Sequence, residues 1–289
     1  MPLLTLSDGR LLHIEVSGPD DGPTLFFHHG TPGSGRPMRG MTQKAIDHGV
    51  RLVTCSRAGY GDSTRHPGRR VVDVVADVEQ VMDSLGVDRF LVAGKSGGGP
   101  HALATGAVLG DRVAGVCCVA GVGPYGARGL DFLAGMGSEN IVEFNNALAG
   151  EDVLRPYLEA EAAGLRDGDV AGMIAVMDTI LPQVDKDVLT DEYGEDQLAN
   201  MKEGLRVSVD GWLDDDIAFT KDWGFDLNDI AVPTFVWQGS EDLMVPFAHG
   251  EWLVDAVPGA VAHLEAGQGH LSISVNGFGR MLDELLTTL

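Results

Sequence analysis

The sequence predicts an α/β protein: a mostly parallel central sheet flanked by helices, with a helical cap inserted between two parts of that sheet. Three observations lead there. Short apolar strands alternate with helix-like stretches over residues 1–123 and again over 230–289, the rhythm of parallel strands joined by right-handed crossovers. Residues 124–229 lose that rhythm and read as packed helices, so 1–123 and 230–289 form the expected core and 124–229 the expected cap. Finally, a serine framed by glycines, Gly94-Lys95-Ser96-Gly97-Gly98, stands where an apolar strand gives way to a helix.

The elements follow in order. Leu11–Val16 and Thr24–His28 alternate or run apolar and are expected to form a hairpin through the turn-rich Gly18-Pro19-Asp20-Asp21-Gly22-Pro23. Arg51–Thr54, Phe90–Ala93 and Val113–Val119 are short apolar strands, separated by the helix-like Met38–His48, Val71–Leu85 and Pro100–Leu109. In the second of these, Val71, Val74, Val75, Val78, Val81, Met82 and Leu85 keep a helical period. After Gly123-Pro124-Tyr125-Gly126 the chain reads as helical from Leu130 to Lys221, divided by Pro156, Pro182 and several glycines. Ile141, Phe144 and Leu148, and Met173, Val176, Met177 and Ile180, recur at helical spacing and are expected on the inner faces of packed helices. The strand Thr234–Trp237, a helix over His249–Val257, the strand Ala260–Leu264 and a terminal helix from Ser272 to Leu289 complete the chain.

Composition narrows the function classes. A chain of 289 residues with 44% hydrophobic and 22% charged residues can bury a large core. A net charge of −23 argues against nucleic acid or an anionic membrane surface as partner. Residues 124–229 hold 24 Asp or Glu against 7 Lys or Arg, which is 17 of the 23 excess negative charges. A solvated acidic surface is the first reading of that excess, and an acidic entrance favouring cationic substrates the second. Met1-Pro2-Leu3-Leu4-Thr5 has no basic region followed by an apolar stretch, so a cytoplasmic location is expected. Cys55, Cys117 and Cys118 make no disulfide framework, no Cys/His cluster has metal spacing, and no loop matches a P-loop or dinucleotide fingerprint. A small-molecule substrate and no cofactor are expected.

The chemistry is carried by the glycine-framed serine. In G-x-S-x-G at a strand-to-helix junction the turn is so sharp that the serine backbone is strained and its hydroxyl projects above the sheet; Gly94 and Gly98 leave room for the close approach. Serine needs a base and the base an orienting acid, both beyond the carboxyl ends of later strands. Asp242 follows Thr234–Trp237 in Gly239-Ser240-Glu241-Asp242, and His270 follows Ala260–Leu264 in Gly267-Gln268-Gly269-His270. Glu241 is the rival acid; His249 and His263 are rival bases, but they fall within a helix and a strand. The oxyanion donors are expected to be the amides of Gly97 and of Thr31, in the loop His28-His29-Gly30-Thr31-Pro32, since Pro32 cannot donate. His29 and Gly30 support that loop, His28 is structural, Lys95 beside the serine is a candidate for substrate contact, and His101 is a packing residue.

His29-Gly30-Thr31-Pro32-Gly33, Arg57-Ala58-Gly59-Tyr60-Gly61-Asp62-Ser63, Ser96 with its glycines, Gly239 to Pro246 and Gly269-His270 together resemble the α/β-hydrolase superfamily along essentially the whole chain. That resemblance implies an α/β-hydrolase fold and a serine hydrolase of the carboxylesterase kind. His29-Gly30-Thr31-Pro32-Gly33 is also similar to the H-G-G-P-G motif of proline iminopeptidases, with Thr31 in place of a glycine, which makes an aminopeptidase the alternative. A non-hydrolytic lyase or receptor on the same fold is a third. Ser96 stands where epoxide hydrolases and haloalkane dehalogenases carry an aspartate.

Overall fold

Eight strands form one sheet in the order β1-β2-β4-β3-β5-β6-β7-β8. They are β1 (Leu3–Thr5), β2 (Leu11–Ser17), β3 (Thr24–His28), β4 (Arg51–Cys55), β5 (Phe90–Lys95), β6 (Val113–Val119), β7 (Thr234–Gly239) and β8 (Val261–Glu265). The pairings β1–β2 and β2–β4 are antiparallel; from β4 through β3, β5, β6 and β7 to β8 every pairing is parallel. The computed structural model describes residues 2–189 and 191–289.

The core helices are α1 (Arg39–Asp47), α2 (Val74–Ser84, after a short turn of 3-10 helix at Val71–Asp73) and α3 (Gly98–Val108). Between β6 and β7 lie α4 (Ser138–Ala149), α5 (Glu151–Asp167), α6 (Val170–Val176), α7 (Gln183–Val188), α8 (Asp191–Gly204) and α9 (Asp210–Phe219). They are followed by α10 (Phe247–Ala256) and α11 (Ser272–Leu286). Successive strand residues point to opposite faces. Phe26, Val92, Cys118 and Val236 therefore join one apolar layer with α2, α3 and α10, while Leu25, Leu91, Cys117 and Phe235 join the other with α1 and α11. This is the α/β-hydrolase fold with an inserted helical cap. None of the described helices is long and apolar enough to cross a membrane.

Several expectations are corrected. Leu11–Val16 and Thr24–His28 are not a hairpin, because β4 lies between them and pairs with both. The loop joining them crosses the start of β4: Gly18 sits against the backbone of Val50 and Arg51, where a side chain would collide, and Arg51 N–H donates to Pro23 O at 2.9 Å. The hairpin partner of β2 is instead the short β1. Pro156 does not divide the cap, since α5 runs through it and buries Leu154, Leu158, Ala162 and Leu165 on one face. Leu148 and Val176 are exposed, and the first cap helix begins at Ser138 rather than near Leu130. Nor is the acidity of the cap only a solvated surface: Asp185, Asp196, Asp214, Asp215 and Asp216 are buried.

Candidate active site

β5 ends at Lys95 and α3 begins at Gly98, leaving two residues to reverse the chain. Ser96 takes φ 55°, a left-handed conformation that costs a residue with a Cβ. The strain is held by hydrogen bonds on both sides: Ser96 N–H donates to Val119 O, and Gly99 N–H to Ser96 O, each at 2.8 Å. A Cβ on Gly94 would overlap the Gly98 carbonyl, and one on Gly98 would overlap the carbonyls of His28 and His29. The glycines thus let strand, turn and helix close on one another beneath a half-buried serine.

At the ends of β7 and β8 the chain brings Asp242 and His270 together. His270 Nδ1 lies 2.8 Å from Asp242 Oδ2, and both side chains are buried. The carboxylate is saturated with donors. Oδ1 accepts from the amides of Met244 (2.9 Å) and Val245 (2.8 Å), and Oδ2 also accepts from Gln238 Nε2 at 2.9 Å. Glu241 is exposed. His249 accepts from Gly123 N–H and bonds the Phe132 carbonyl, both at 2.9 Å, while His263 pairs with Glu284 at 2.9 Å. Ser96 and His270 line the same cavity and are not hydrogen-bonded to each other. Such contacts commonly tighten only when substrate binds. The His270 loop is held from the cap: Asp185 on α7 accepts from the amides of His270 (2.7 Å), Leu271 (3.0 Å) and Ser272 (2.8 Å).

The loop after β3 faces the turn at Ser96, with the Thr31 side chain against Gly97, where a Cβ would overlap it. The amides of Thr31 and Gly97 donate to no protein acceptor among the described residues. Burial, with Arg57 nearby, keeps His29 well below the usual histidine range. The neutral ring donates Nδ1–H to Gly30 O at 2.7 Å and accepts from Arg57 N–H at 3.1 Å. His28 is also held neutral by burial, with Nε2 3.2 Å from Thr105 Oγ1.

Beneath that loop lies a charged hub centred on Asp215 of α9, which is fully buried. Oδ2 accepts from Arg57 (2.7 Å), Thr31 Oγ1 (2.7 Å) and Tyr60 OH (2.8 Å), and Oδ1 pairs with Arg69 at 2.7 Å. Arg57 also donates to the carbonyls of His29 and Gly30 and to Thr31 Oγ1. Burial alone would raise this carboxyl, but Arg57 and Arg69 outweigh it and hold it well below the usual carboxylate range. His101 Nε2 lies 3.3 Å from Asp215 Oδ1, and burial pushes the ring down to about 4. His101 thus belongs to this hub as well as to the core packing.

Two cavities meet at Ser96. The first, about 180 Å³, is lined by Ser96, His270 and seven of the chain's ten methionines, with Arg36, Lys44 and Lys95 on its wall. Lys95 Nζ lies 3.2 Å from Tyr193 OH of α8. The second, about 110 Å³, is lined by Ser96, Gly97 and Thr31 and by the cap acids Glu139, Glu143, Glu161 and Asp216. The reading of the sequence missed Asp185, Asp215, Glu143 and Asp216. One signal was available for α9: Asp214-Asp215-Asp216 are consecutive on a helix and fan out over about 200°, so they cannot all reach water from a helix packed on a core.

Comparison with known proteins agrees with this architecture. Residues 23–154 match the family model described as alpha/beta hydrolase fold. Epoxide hydrolase B of Mycobacterium tuberculosis is 30% identical over 149 residues, 49% of this chain and 41% of that protein, so the match spans less than half of that relative. The bifunctional esterase/perhydrolase DCH of Acinetobacter calcoaceticus is 26% identical over 250 residues, 86% of this chain and 84% of its own. Among solved structures, a bromoperoxidase from Bacillus anthracis superposes with a TM-score of 0.72 at 22% identity, covering 99% of both chains.

Proposed function

We propose that this chain, which has the α/β-hydrolase fold, is a serine hydrolase cleaving a carboxylic ester through Ser96, His270 and Asp242. Ser96 Oγ attacks the acyl carbon while its proton passes to His270 Nε2. Asp242 Oδ2 holds Nδ1–H, fixes the ring tautomer and stabilises the imidazolium that forms. The tetrahedral oxyanion is received by the amides of Gly97 and Thr31. Collapse breaks the bond to the leaving oxygen, which takes the proton back from His270, and Ser96 remains acylated. His270 then removes a proton from water, the hydroxide attacks the acyl carbon, and the acid is released with the Ser96 hydroxyl restored.

The observation that supports this reading most is the buried, donor-filled Asp242 bonded to His270 Nδ1, with His270 and Ser96 on one cavity wall. Similarity to an epoxide hydrolase does not carry an epoxide-opening reading, because a serine at this position forms a different covalent intermediate. Labelling with a fluorophosphonate tests the proposal: the wild type is expected to be modified at Ser96 and to hydrolyse naphthyl esters, and Ser96→Ala to lose both by several orders of magnitude. Undiminished labelling of the Ser96→Ala protein would overturn it.

A further inference from the structure

The two cavities that meet at Ser96 share Thr31, Pro32, Met177, Met201 and Met244 and otherwise differ in chemistry. The methionine-lined one is apolar and adaptable, and its polar wall carries the cations Arg36, Lys44 and Lys95. The other has four carboxyl groups, Glu139, Glu143, Glu161 and Asp216, and no lysine or arginine among its described lining residues. Phe144, Tyr157, Trp212 and Phe219 line the same cavity. Aromatic faces together with carboxylates attract an organic cation, through the ring quadrupoles and through charge. Asp216 adds an independent sign. It is 1% exposed, it lines this cavity, and its Oδ2 has no hydrogen-bond donor among the described residues. A buried acceptor without a donor is costly. The neighbouring Glu143 accepts from Trp212 Nε1 at 2.8 Å and bonds Asp216 only through a proton held by the pair, so with both carboxyls ionised Asp216 Oδ2 has no donor.

We propose that this chamber is a subsite for an alkylammonium group carried on the acyl part of the substrate, with the apolar leaving group in the methionine-lined cavity. The orientation rests on the serine-hydrolase reading above: His270, which returns the proton to the leaving group, lines the methionine cavity and not the acidic one. Electrostatics favours the same orientation, since the cations beside the methionines repel an ammonium from that side. Burial and mutual repulsion raise Asp216 well above the usual carboxylate range, and burial raises Glu143 as well, so an empty chamber retains a proton that an ammonium displaces. The groups facing the pair are Glu139 on α4, Tyr157 and Glu161 on α5, Asp215 on α9, and Arg69 from the segment before the Val71–Asp73 turn. Affinity for a quaternary ammonium, which does not itself titrate, is therefore expected to rise with pH as the pair ionises.

The test compares the naphthyl ester of γ-trimethylammoniobutyrate with that of its uncharged tert-butyl isostere. On the wild-type protein kcat/KM is expected to favour the charged ester by about tenfold or more. On the Ser96→Ala protein, calorimetric Kd values are expected to show the same preference without turnover. Combining Ser96→Ala with either Asp216→Asn or Glu143→Gln should bring the Kd ratio close to one, and two variants guard against one failing to fold. A Kd ratio of one or less in the Ser96→Ala protein overturns the subsite, whatever Ser96 does chemically. A wild-type protein that a fluorophosphonate does not label, with the Kd preference intact, overturns the serine-hydrolase reading and the assignment of the ammonium to the acyl side, and upholds the chamber as an ammonium site.

Discussion

Helix α9 has two buried faces that treat the same side chain in opposite ways. On the core side, Asp215 meets two guanidinium groups and the hydroxyls of Thr31 and Tyr60, and is held ionised against the pull of burial. One residue on, Asp216 faces the cap, meets Glu143 and aromatic rings, and is driven towards its neutral form. Solvation is removed from both, so burial alone does not decide charge state; the donors that replace water do. A carboxylate with its donors in place braces the loop after β3 against the cap. A carboxyl without them is a vacancy for a cation.

The same contrast recurs between Asp242, buried with four donors, and exposed Glu241, and there the largest effect is expected. Asp242→Asn should lower kcat for naphthyl ester hydrolysis by about 10⁴-fold by disturbing the His270 tautomer, whereas Glu241→Gln should change it little; equal losses would break the comparison. Next in size is Asp215→Ala, which leaves Arg57 and Arg69 buried without their carboxylate. Urea unfolding is expected to show a loss on the order of 3–5 kcal/mol, and a loss below about 1 kcal/mol would mean that the hub is not holding the cap.

Asp216→Asn sharpens the comparison through pH. The folded state raises this carboxyl above its ordinary 3.8, so the folded protein binds more protons than the unfolded chain, and the group's contribution to stability falls as pH rises above that value. Melting temperatures of wild type and Asp216→Asn should therefore diverge in favour of the variant as pH increases towards neutrality. Asp215, lowered below 3.8, contributes stability that is lost only as pH falls below that value. If the wild type and Asp216→Asn kept a constant difference from acid to neutral pH, the assigned charge states would be wrong. The smallest effect concerns salt. Raising ionic strength from 0.1 M, where the Debye length is about 10 Å, should modestly lower kcat/KM for the cationic ester and leave the neutral isostere flat. Parallel profiles would remove any steering role for the remaining acids of the cap.

How much of this was legible depended on how local each cause is. The α/β alternation, the helical insertion and the glycine-framed Ser96 are written in short windows, because strand period, helix period and a turn too tight for side chains each act over a few residues. Asp242 and His270 were legible for a related reason: in a parallel sheet the loops after strands share one edge, so chain order alone brings them near Ser96. The β2–β3 hairpin was misread because the loop from Gly18 to Pro23 has turn chemistry whether it reverses between neighbours or crosses another strand, and only the docking of β4 distinguishes the two. The neighbours Asp215 and Asp216 mark the limit. Nothing in Trp212-Leu213-Asp214-Asp215-Asp216 says which carboxylate will meet Arg57, 158 residues away, and which will meet Glu143. By itself the sequence determined the layers, the glycine-framed turn at Ser96 and the chain order that brings Ser96, Asp242 and His270 to one edge of the sheet. The tertiary structure alone decided which cap acids are neutralised, which remain unpaired beside Ser96, and that Asp185 grips the His270 loop, because a buried group's charge state is set by partners that only long-range packing supplies.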